Sequence, residues 1–193
     1  SRIYGLRTTA FRQSCIINFL NTECLTDSNS QSDFLFENYI RHKGKPLKVL
    51  SKGSLSGVDI SRFNLEILLK NTLELKKQLK IKEEDFVYSF IARKTKAKGA
   101  LDILIAFHEI SLINPQVLLL FIGPDEDGLI SDLKKTKPYL FDRVIEFGHV
   151  DNPELYLSIT DVLCLPSYRE GFGSIVIDAA ALGVPTIGSR IPG

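Results

Sequence analysis

The sequence predicts an open α/β fold, a parallel sheet with helices on both faces. Short apolar runs rich in β-branched and aromatic residues alternate with longer segments in which apolar residues recur every three or four positions. The runs show little polar alternation, which is typical of strands buried on both faces. The predicted strands are residues 47–50, 86–91, 117–122, 144–147, 162–165 and 184–187.

Two of the segments between the strands have clear helical spacing. Their apolar positions are Ala100, Ile103, Leu104, Phe107 and Ile110 in the first, and Ile175, Ile177, Ala179 and Leu182 in the second. Ligands of open α/β sheets bind beyond the carboxyl ends of the strands. We therefore expect the functional residues in the loops that follow residues 91, 122, 147 and 165.

Composition excludes several classes of protein. The chain has 193 residues, of which 44% are hydrophobic, and its 24 basic and 23 acidic side chains give a net charge of +1. This is the composition of a globular protein without an overall field that would attract nucleic acid. The longest apolar run, residues 117–122, is far shorter than the roughly 18 residues of a membrane-spanning helix. Three irregularly spaced cysteines predict reduced thiols in the cytoplasm.

The N-terminal region looks incomplete. Residues 1–45 are weakly patterned, the sequence contains no methionine, and its first residues lack the apolar stretch of a secretory signal. We expect a piece of a longer protein, in which 1–45 is the remnant of a preceding domain with its linker and 46–193 is one α/β domain, incomplete at its C-terminus. A polar stretch at 26–32 predicts a turn or a helix cap.

A basic loop follows the second predicted strand. It carries Arg93, Lys94, Lys96 and Lys98 and ends at Gly99, after which a helix is predicted. Four cations at the mouth of a sheet could neutralise two phosphates, and a glycine would let the backbone come close to them. A solvated basic loop or a weak nucleic-acid patch is the alternative, although no RNA-binding aromatic signature accompanies the charges.

A glycine-rich turn follows the strand at 162–165. Gly171-Phe172-Gly173 precedes a helix predicted at 174–182, whose free backbone N–H groups and positive dipole end would bind phosphate. A tight turn without a ligand is the alternative. Glu170 lies on this turn, and Asp178 lies within the apolar helix, where it requires either a ligand hydroxyl or a structural hydrogen bond.

An acidic triplet at 125–127 and three histidines are the candidates for metal binding. The triplet follows Gly123-Pro124 at an expected helix start, where acids are favoured by the dipole and Pro fits the first turn. His42, His108 and His149 lack the spacing of metal ligands. We therefore expect no metal and no cofactor.

The order of several motifs points to one family. They are Arg93 with Lys98-Gly99, Gly148 within 146–150, Asp161, Pro166-Ser167 followed by Glu170-Gly171-Phe172-Gly173, and Gly183-Val184-Pro185. In this order they resemble the donor-binding, C-terminal half of retaining GT-B glycosyltransferases, the glycosyltransferase family 4 group, as found in bacterial capsule and O-antigen synthesis. The likeness covers residues 46–193, including an interdomain segment at 52–63, and implies a Rossmann-like sheet. Residues 26–40 look like the end of the family's N-terminal domain.

The resemblance implies the residues that hold the donor. Arg93 and Lys98 would contact its diphosphate and, with Glu170, would form the catalytic set. Main-chain contacts to the phosphates and the sugar would come from Gly171, Phe172, Gly173 and Ser174. Negative charge grows on the leaving phosphate as the sugar becomes oxocarbenium-like, so fixed cations help most at the transition state.

The remaining implied contacts are to the sugar, the ribose and the base. Glu170 would touch hydroxyls of the transferred sugar, Asp178 the ribose, and His149 with Val150 the nucleobase. Two positions depart from the family pattern: Asp178 replaces the usual Glu, and Ala92 stands where a Gly commonly precedes the Arg.

The implied activity is transfer of a sugar from a nucleoside-diphosphate sugar to a glycan or lipid-linked acceptor, with retention of configuration. Catalysis would require the missing N-terminal domain. The implied location is the cytoplasm, at the inner face of the membrane. A nucleotide-sugar-binding fragment without turnover is one alternative. The other is a two-carboxylate glycoside hydrolase that uses Glu170 and Asp178, which leaves the basic loop unexplained.

Overall fold

The computed structural model describes residues 16, 20–51, 53 and 57–191. Cys15, Lys52 and much of the predicted N-terminal remnant lie outside the described residues. The described residues fall into two compact units. The first lies within residues 16–57 and also includes Glu170–Gly173, and the second comprises Val58–Arg169 and Ser174–Ile191.

The first unit contains a two-stranded parallel pair and a helix. Strand β1 is Leu25–Thr26, helix α1 is Asn29–Glu37 and strand β2 is Lys48–Val49. The predicted polar stretch is a helix cap, because the Ser28 hydroxyl accepts a hydrogen bond of 3.1 Å from the backbone N–H of Gln31. The strand predicted at 47–50 is shorter than expected, and it pairs with β1 rather than with the large sheet.

The second unit contains the predicted alternation of strands and helices. Its strands are β3 (Phe86–Ile91), β4 (Val117–Ile122), β5 (Val144–Phe147), β6 (Val162–Leu165) and β7 (Thr186–Gly188). Its α-helices are α2 (Leu65–Gln78), α3 (Ala100–Ile113), α4 (Leu129–Thr136), α5 (Pro153–Leu157) and α6 (Ser174–Ala181), with short 3₁₀ turns at Lys96–Lys98 and Pro138–Phe141. Four of the five strands have the predicted bounds, and β7 begins two residues later than expected.

The five strands form one parallel sheet in the order β5-β4-β3-β6-β7. The chain starts in the middle at β3, moves outward through β4 to β5, and then returns to the other side of β3 as β6. This is the Rossmann strand order, in which the direction of winding reverses between the first and fourth strands. The fold prediction is therefore confirmed, and the reversal lies between β3 and β6.

Strand β4 shows that helices cover both faces of the sheet. All six of its residues are buried. Leu119 and Phe121 pack with Leu104 of α3, while Leu118 and Leu120 pack on the opposite face with Leu75 of α2. Successive strand residues point to opposite faces, so a strand between two helical layers has no polar side to show. The absence of alternation in the sequence has this cause.

Two further sequence expectations can be compared with the described part of the chain. Within it, no helix has the length and the apolar character needed to cross a membrane. Cys24 and Cys164 are both buried, and they form no disulfide with each other. Burial raises the pKa of the Cys164 thiol to about 11, which keeps it protonated and unreactive at neutral pH.

Candidate functional site

Two predicted loops meet at the switch point of the sheet, between β3 and β6, where the chain changes the side on which it adds strands. The loop after β3 and the first residues after β6 are joined by a hydrogen bond of 2.9 Å from the N–H of Tyr168 to the carbonyl of Ala97. The Lys98 ammonium lies 3.5 Å from the carbonyl oxygen of Arg169. Crevices at such reversals are where open α/β sheets bind ligands. The two loops singled out in the sequence therefore flank the expected binding position.

Asp161 secures this junction. Its backbone N–H donates to the carbonyl of Val87 at 2.8 Å, and its carboxylate accepts from the N–H of Val87 at 2.7 Å. These bonds hold the start of β6 beside β3, the central strand. Asp161, one of the motif residues, thus stabilises the pairing of β3 with β6.

Gly99 is required by the packing of the protein's own backbone. Its φ is +72°, and a Cβ placed there would lie 2.2 Å from the carbonyl oxygen of Pro166. The glycine is needed because the protein's own backbone passes against it, in a conformation that L residues rarely adopt. This packing alone explains why the residue is glycine. The expected approach of a ligand to Gly99 stays a prediction.

The four cations of the basic loop do not all face the mouth of the sheet, as was expected. Arg93 and Lys96 are exposed and Lys98 is half-buried, whereas the side chain of Lys94 is only 1% exposed. Lys94 donates hydrogen bonds to the Glu146 carboxylate at 2.9 Å and to the carbonyl of Phe147 at 2.7 Å. A buried ammonium must find such partners because it has left water. The Lys94 ammonium is therefore not available to a ligand at the mouth of the sheet.

A cleft of about 420 Å³ lies beside Arg93. It brings together three predicted site residues, Arg93, His149 and Val150. The rest of its lining was not predicted as site residues: Ile91, Ala92, Ile122, Gly123, Pro124, Glu126, Pro153 and Ile175. Its walls therefore come from the loops after β3, β4 and β5 and from the first turn of α6.

Arg93 and His149 each have an acidic neighbour at this cleft. The Arg93 guanidinium lies 3.1 Å from the Glu126 carboxylate, with 59% of the Arg93 side chain exposed. His149 Nε2 lies 3.5 Å from Asp151 on an exposed surface. Exposed pairs of this kind contribute roughly 0–1 kcal/mol. A dianionic ligand could therefore replace Glu126 as the partner of Arg93 at little cost.

Gly123 lies at the floor of the cleft. Its φ is +138°, and a Cβ there would lie 1.8 Å from the carbonyl oxygen of Ala92. Its N–H donates to the carbonyls of Phe147 and Gly148 at 3.2 and 3.1 Å. The glycine thus lets the three loops pack together. A glycine directly after a buried strand is the sequence signal that could have identified it.

Helix α6 carries two predicted site residues, Ser174 at its first position and Asp178 one turn later. Burial raises the pKa of the Asp178 carboxyl, while the charge of Arg62 opposes that shift. Arg62 itself makes a two-oxygen contact with Glu154, at 2.9 Å to each oxygen. Within the described residues Asp178 has no hydrogen-bond partner, so the alternative of a structural bond to a backbone N–H is not present there.

The glycine-rich segment Glu170–Gly173 groups with the first unit and is described by itself. Gly173 has a φ of +67°, the left-handed conformation that favours glycine. A Cβ at Gly171 would stand 3.5 Å from the Asp27 carboxylate, an ordinary contact. Glu170 and Phe172 are half-buried. Gly173 thus has a conformational reason to be a glycine, and Gly171 shows none.

The acidic triplet caps a helix, as predicted. The Asp125 carboxylate accepts hydrogen bonds from the N–H groups of Ile130 and Ser131 at 3.2 and 3.0 Å, in the first turn of α4. Partial burial acts to raise the pKa of Asp125, but these hydrogen bonds outweigh it and lower the pKa. Pro124 lies outside the helix, so its expected place in the first turn is wrong. Among the described residues, no three metal-ligating side chains come together.

Sequence relatives of this chain are glycosyltransferases. It is 32% identical over 177 residues to the capsular polysaccharide biosynthesis glycosyltransferase CapM of Staphylococcus aureus, covering 88% of this chain and 45% of CapM. It is 32% identical over 120 residues to the O-antigen biosynthesis glycosyltransferase WclY of Escherichia coli, covering 61% of this chain and 32% of WclY. The chain thus spans less than half the length of these curated relatives.

Solved structures share the fold at low identity. Anabaena HepE in complex with UDP and glucose has a TM-score of 0.78 and 20% identity, over 96% of this chain and 49% of HepE. Sucrose-phosphate synthase from Thermosynechococcus elongatus has a TM-score of 0.75 and 23% identity, over 96% of this chain and 45% of the synthase. The family model described as "Glycosyl transferases group 1" matches residues 71–193. This chain belongs to the group 1 glycosyl transferases and has the α/β architecture of a GT-B domain.

Proposed function

We propose that this chain is the donor-binding, C-terminal half of a retaining GT-B glycosyltransferase of family 4. It binds a nucleoside-diphosphate sugar at the reversal point of the sheet. The observation that carries the proposal is the meeting of the basic loop with the start of the β6 loop, beside a cleft that holds Arg93, His149 and Val150. The UDP complex of the similarly folded HepE supports this choice of ligand class.

Arg93 and Lys98 neutralise the diphosphate in this proposal. Their contribution is largest as the bond between the anomeric carbon and the phosphate breaks, because the leaving nucleoside diphosphate then gains negative charge. Both side chains reach solvent and can receive a ligand. Ser174 at the N-terminal end of α6, together with the main chain of Gly171, Phe172 and Gly173, assists them. The proposed site requires no metal ion, because these side chains neutralise the diphosphate.

The sugar, the ribose and the base are held by the remaining predicted residues. The half-buried Asp178 carboxylate accepts a hydrogen bond from a ribose hydroxyl, which gives this desolvated group the partner it lacks among the described residues. His149 and Val150 lie against the nucleobase. Glu170 binds hydroxyls of the transferred sugar, a role in orientation rather than covalent catalysis.

The acceptor side belongs to the rest of the protein. We propose that residues 1–45 include the end of an acceptor-binding domain and that residues 46–193 belong to the donor-binding domain. The 45% coverage of CapM supports this division. Full activity then requires both halves, acting on a glycan or lipid-linked acceptor in the cytoplasm at the inner membrane face. The capsule and O-antigen functions in the names of the relatives support such an acceptor.

A thermal-shift screen tests donor binding in this chain. UDP-, GDP- and ADP-sugars are added separately, with the corresponding free sugar as the control. A ligand that binds only the folded state stabilises it by about 2.7 kcal/mol at one hundred times its Kd. We expect one nucleotide sugar to raise the melting temperature while the free sugar does not. The proposal is wrong if no nucleotide sugar raises it at millimolar concentration.

A further inference from the structure

Lys94 is a buried cation for which the proposed reaction has no use. Besides its bonds to Glu146 and to the carbonyl of Phe147, its ammonium lies 5.0 Å from the centre of the Phe121 ring. Burial lowers the pKa of Lys94, although the carboxylate of Glu146 opposes this shift. Taking an ammonium out of water costs several kcal/mol, and only good partners offset that cost.

Stability alone is a weak reason for such a pair. Buried ion pairs can often be replaced by apolar side chains of similar volume without loss of stability. Glu146 also has a second partner, because the ammonium of Lys134 lies 2.6 Å from its other oxygen. Burial acts to raise the pKa of Glu146, but the hydrogen bonds from Lys134 and Lys94 outweigh it and lower the pKa. Glu146 therefore stays paired even when Lys94 is changed.

The position of Lys94 suggests a different role. Its backbone N–H donates to the carbonyl of Pro124 at 2.8 Å, in the loop after β4. Its side chain reaches the end of β5 at Phe147, two residues before His149. Arg93 is its immediate neighbour in the chain. One residue thus connects the loops after β3, β4 and β5, which line the same cleft.

We propose that Lys94 is a positioning residue that fixes the distance between the diphosphate side of the cleft, at Arg93, and the nucleobase side, at His149 and Val150. This inference rests on the proposed function. A nucleoside diphosphate touches both sides at once, so its affinity depends on their separation. Joining two contacts in one ligand raises affinity only when both sides can be reached at the same time. A ligand that touches one side only does not depend on that distance.

The variant Lys94→Met separates these two kinds of ligand. Methionine keeps an unbranched stem and removes the ammonium. The affinities of UDP, uridine and pyrophosphate are measured by calorimetry, and by ligand-observed NMR where binding is weak. We expect UDP to bind at least tenfold more weakly to the variant, while the affinities for uridine and for pyrophosphate change less than twofold. UDP binds tightly because it links two weak contacts in one molecule, and the variant loses that gain in affinity. Uridine and pyrophosphate each make only one of the contacts, so they have no such gain to lose.

Lys96→Met is the matched control, because Lys96 is an exposed lysine of the same loop. We expect it to change UDP affinity by less than twofold. If Lys94→Met does not fold, Glu146→Gln takes its place, since glutamine leaves an acceptor for Lys94 but removes the charge. It should show the same selective loss for UDP, of about threefold.

Two results would overturn the inference. An unchanged UDP affinity in the Lys94 variant means that the buried charge does not set the spacing. Equal losses for UDP, uridine and pyrophosphate mean that Lys94 only supports folding. Failure of the unaltered chain to bind UDP is a separate outcome, which contradicts UDP as its donor nucleotide and removes the basis of the inference.

Discussion

The loops after β3 and β4 have a similar layout in the sequence, but their charged side chains have different roles. They follow neighbouring strands at the same edge of the sheet, both are rich in charge, and each ends in a left-handed glycine before a helix, Gly99 with φ +72° and Gly128 with φ +68°. In the β4 loop, Asp125 turns toward the protein and caps α4. In the β3 loop, Lys94 turns inward while Arg93 stays exposed.

The difference shows that nearby hydrogen-bonding partners decide where a charged side chain goes. The first N–H groups of α4 need acceptors, and Asp125 is near enough to supply one. The carbonyl of Phe147 and the carboxylate of Glu146 both accept hydrogen bonds from the ammonium of Lys94. A charge that finds no such partner remains in solvent, where a ligand can use it.

The two helix-start glycines provide the sharpest comparison of the loops. Gly128 has nothing within 4 Å of an added Cβ, whereas at Gly99 the carbonyl oxygen of Pro166 is 2.2 Å away. Gly128→Ala should cost about 1 kcal/mol for the left-handed conformation alone. Gly99→Ala should cost roughly 3 kcal/mol, because overpacking against backbone is added. Urea unfolding of both variants measures the two losses, and equal losses would contradict the close contact between the β3 and β6 loops.

Within the β4 loop, the capping acid should matter more than its neighbour. Asp125→Ala should lower the free energy of unfolding by about 1 kcal/mol, since α4 loses its cap. Asp127→Ala, a change at an exposed position of the same triplet, should stay within about 0.5 kcal/mol. Chemical denaturation of the two variants at neutral pH measures this difference. Similar losses from both would show that the triplet acts only through its overall charge.

The same cap predicts a pH dependence. The pKa of Asp125 is lower in the folded protein than in the unfolded chain. Its contribution to stability is therefore complete above the ordinary aspartate pKa of about 3.9 and is lost as the pH falls through the lowered value. The difference in stability between wild type and Asp125→Ala should shrink over that acidic range, as followed by urea unfolding at several pH values. A difference that does not depend on pH would contradict the ionised cap.

Much of the fold was predictable from the sequence, because strands buried on both faces must be apolar throughout. The bounds of β3, β4, β5 and β6 follow from that rule. The strand order could not be predicted, since the pairing of β3 with β6 joins Val87 to Asp161, 74 positions apart. Local patterns carry no record of such a pairing. The location of the reversal became visible only in the structure.

The candidate site was predictable in its residue types but not in their directions. Arg93, His149 and Val150, three of the residues singled out in the sequence, line one cleft. The inward turn of Lys94 could not be foreseen, because its partners lie on β5, more than 50 residues away. The need for glycine at Gly123 depends likewise on the approach of Ala92. The assignment of ligand contacts to these residues remains a prediction.

Calorimetric titration of UDP tests the central claim, that Arg93 and Lys98 hold a diphosphate at the reversal point of the sheet. Arg93→Ala and Lys98→Ala are compared with Lys96→Ala, which removes the same charge from an exposed position of the same loop. We predict about tenfold weaker binding for each of the first two variants, with the loss shrinking as salt is raised, and less than twofold for the third. Unchanged affinity in Arg93→Ala and Lys98→Ala, or equal losses in all three variants, would contradict the claim.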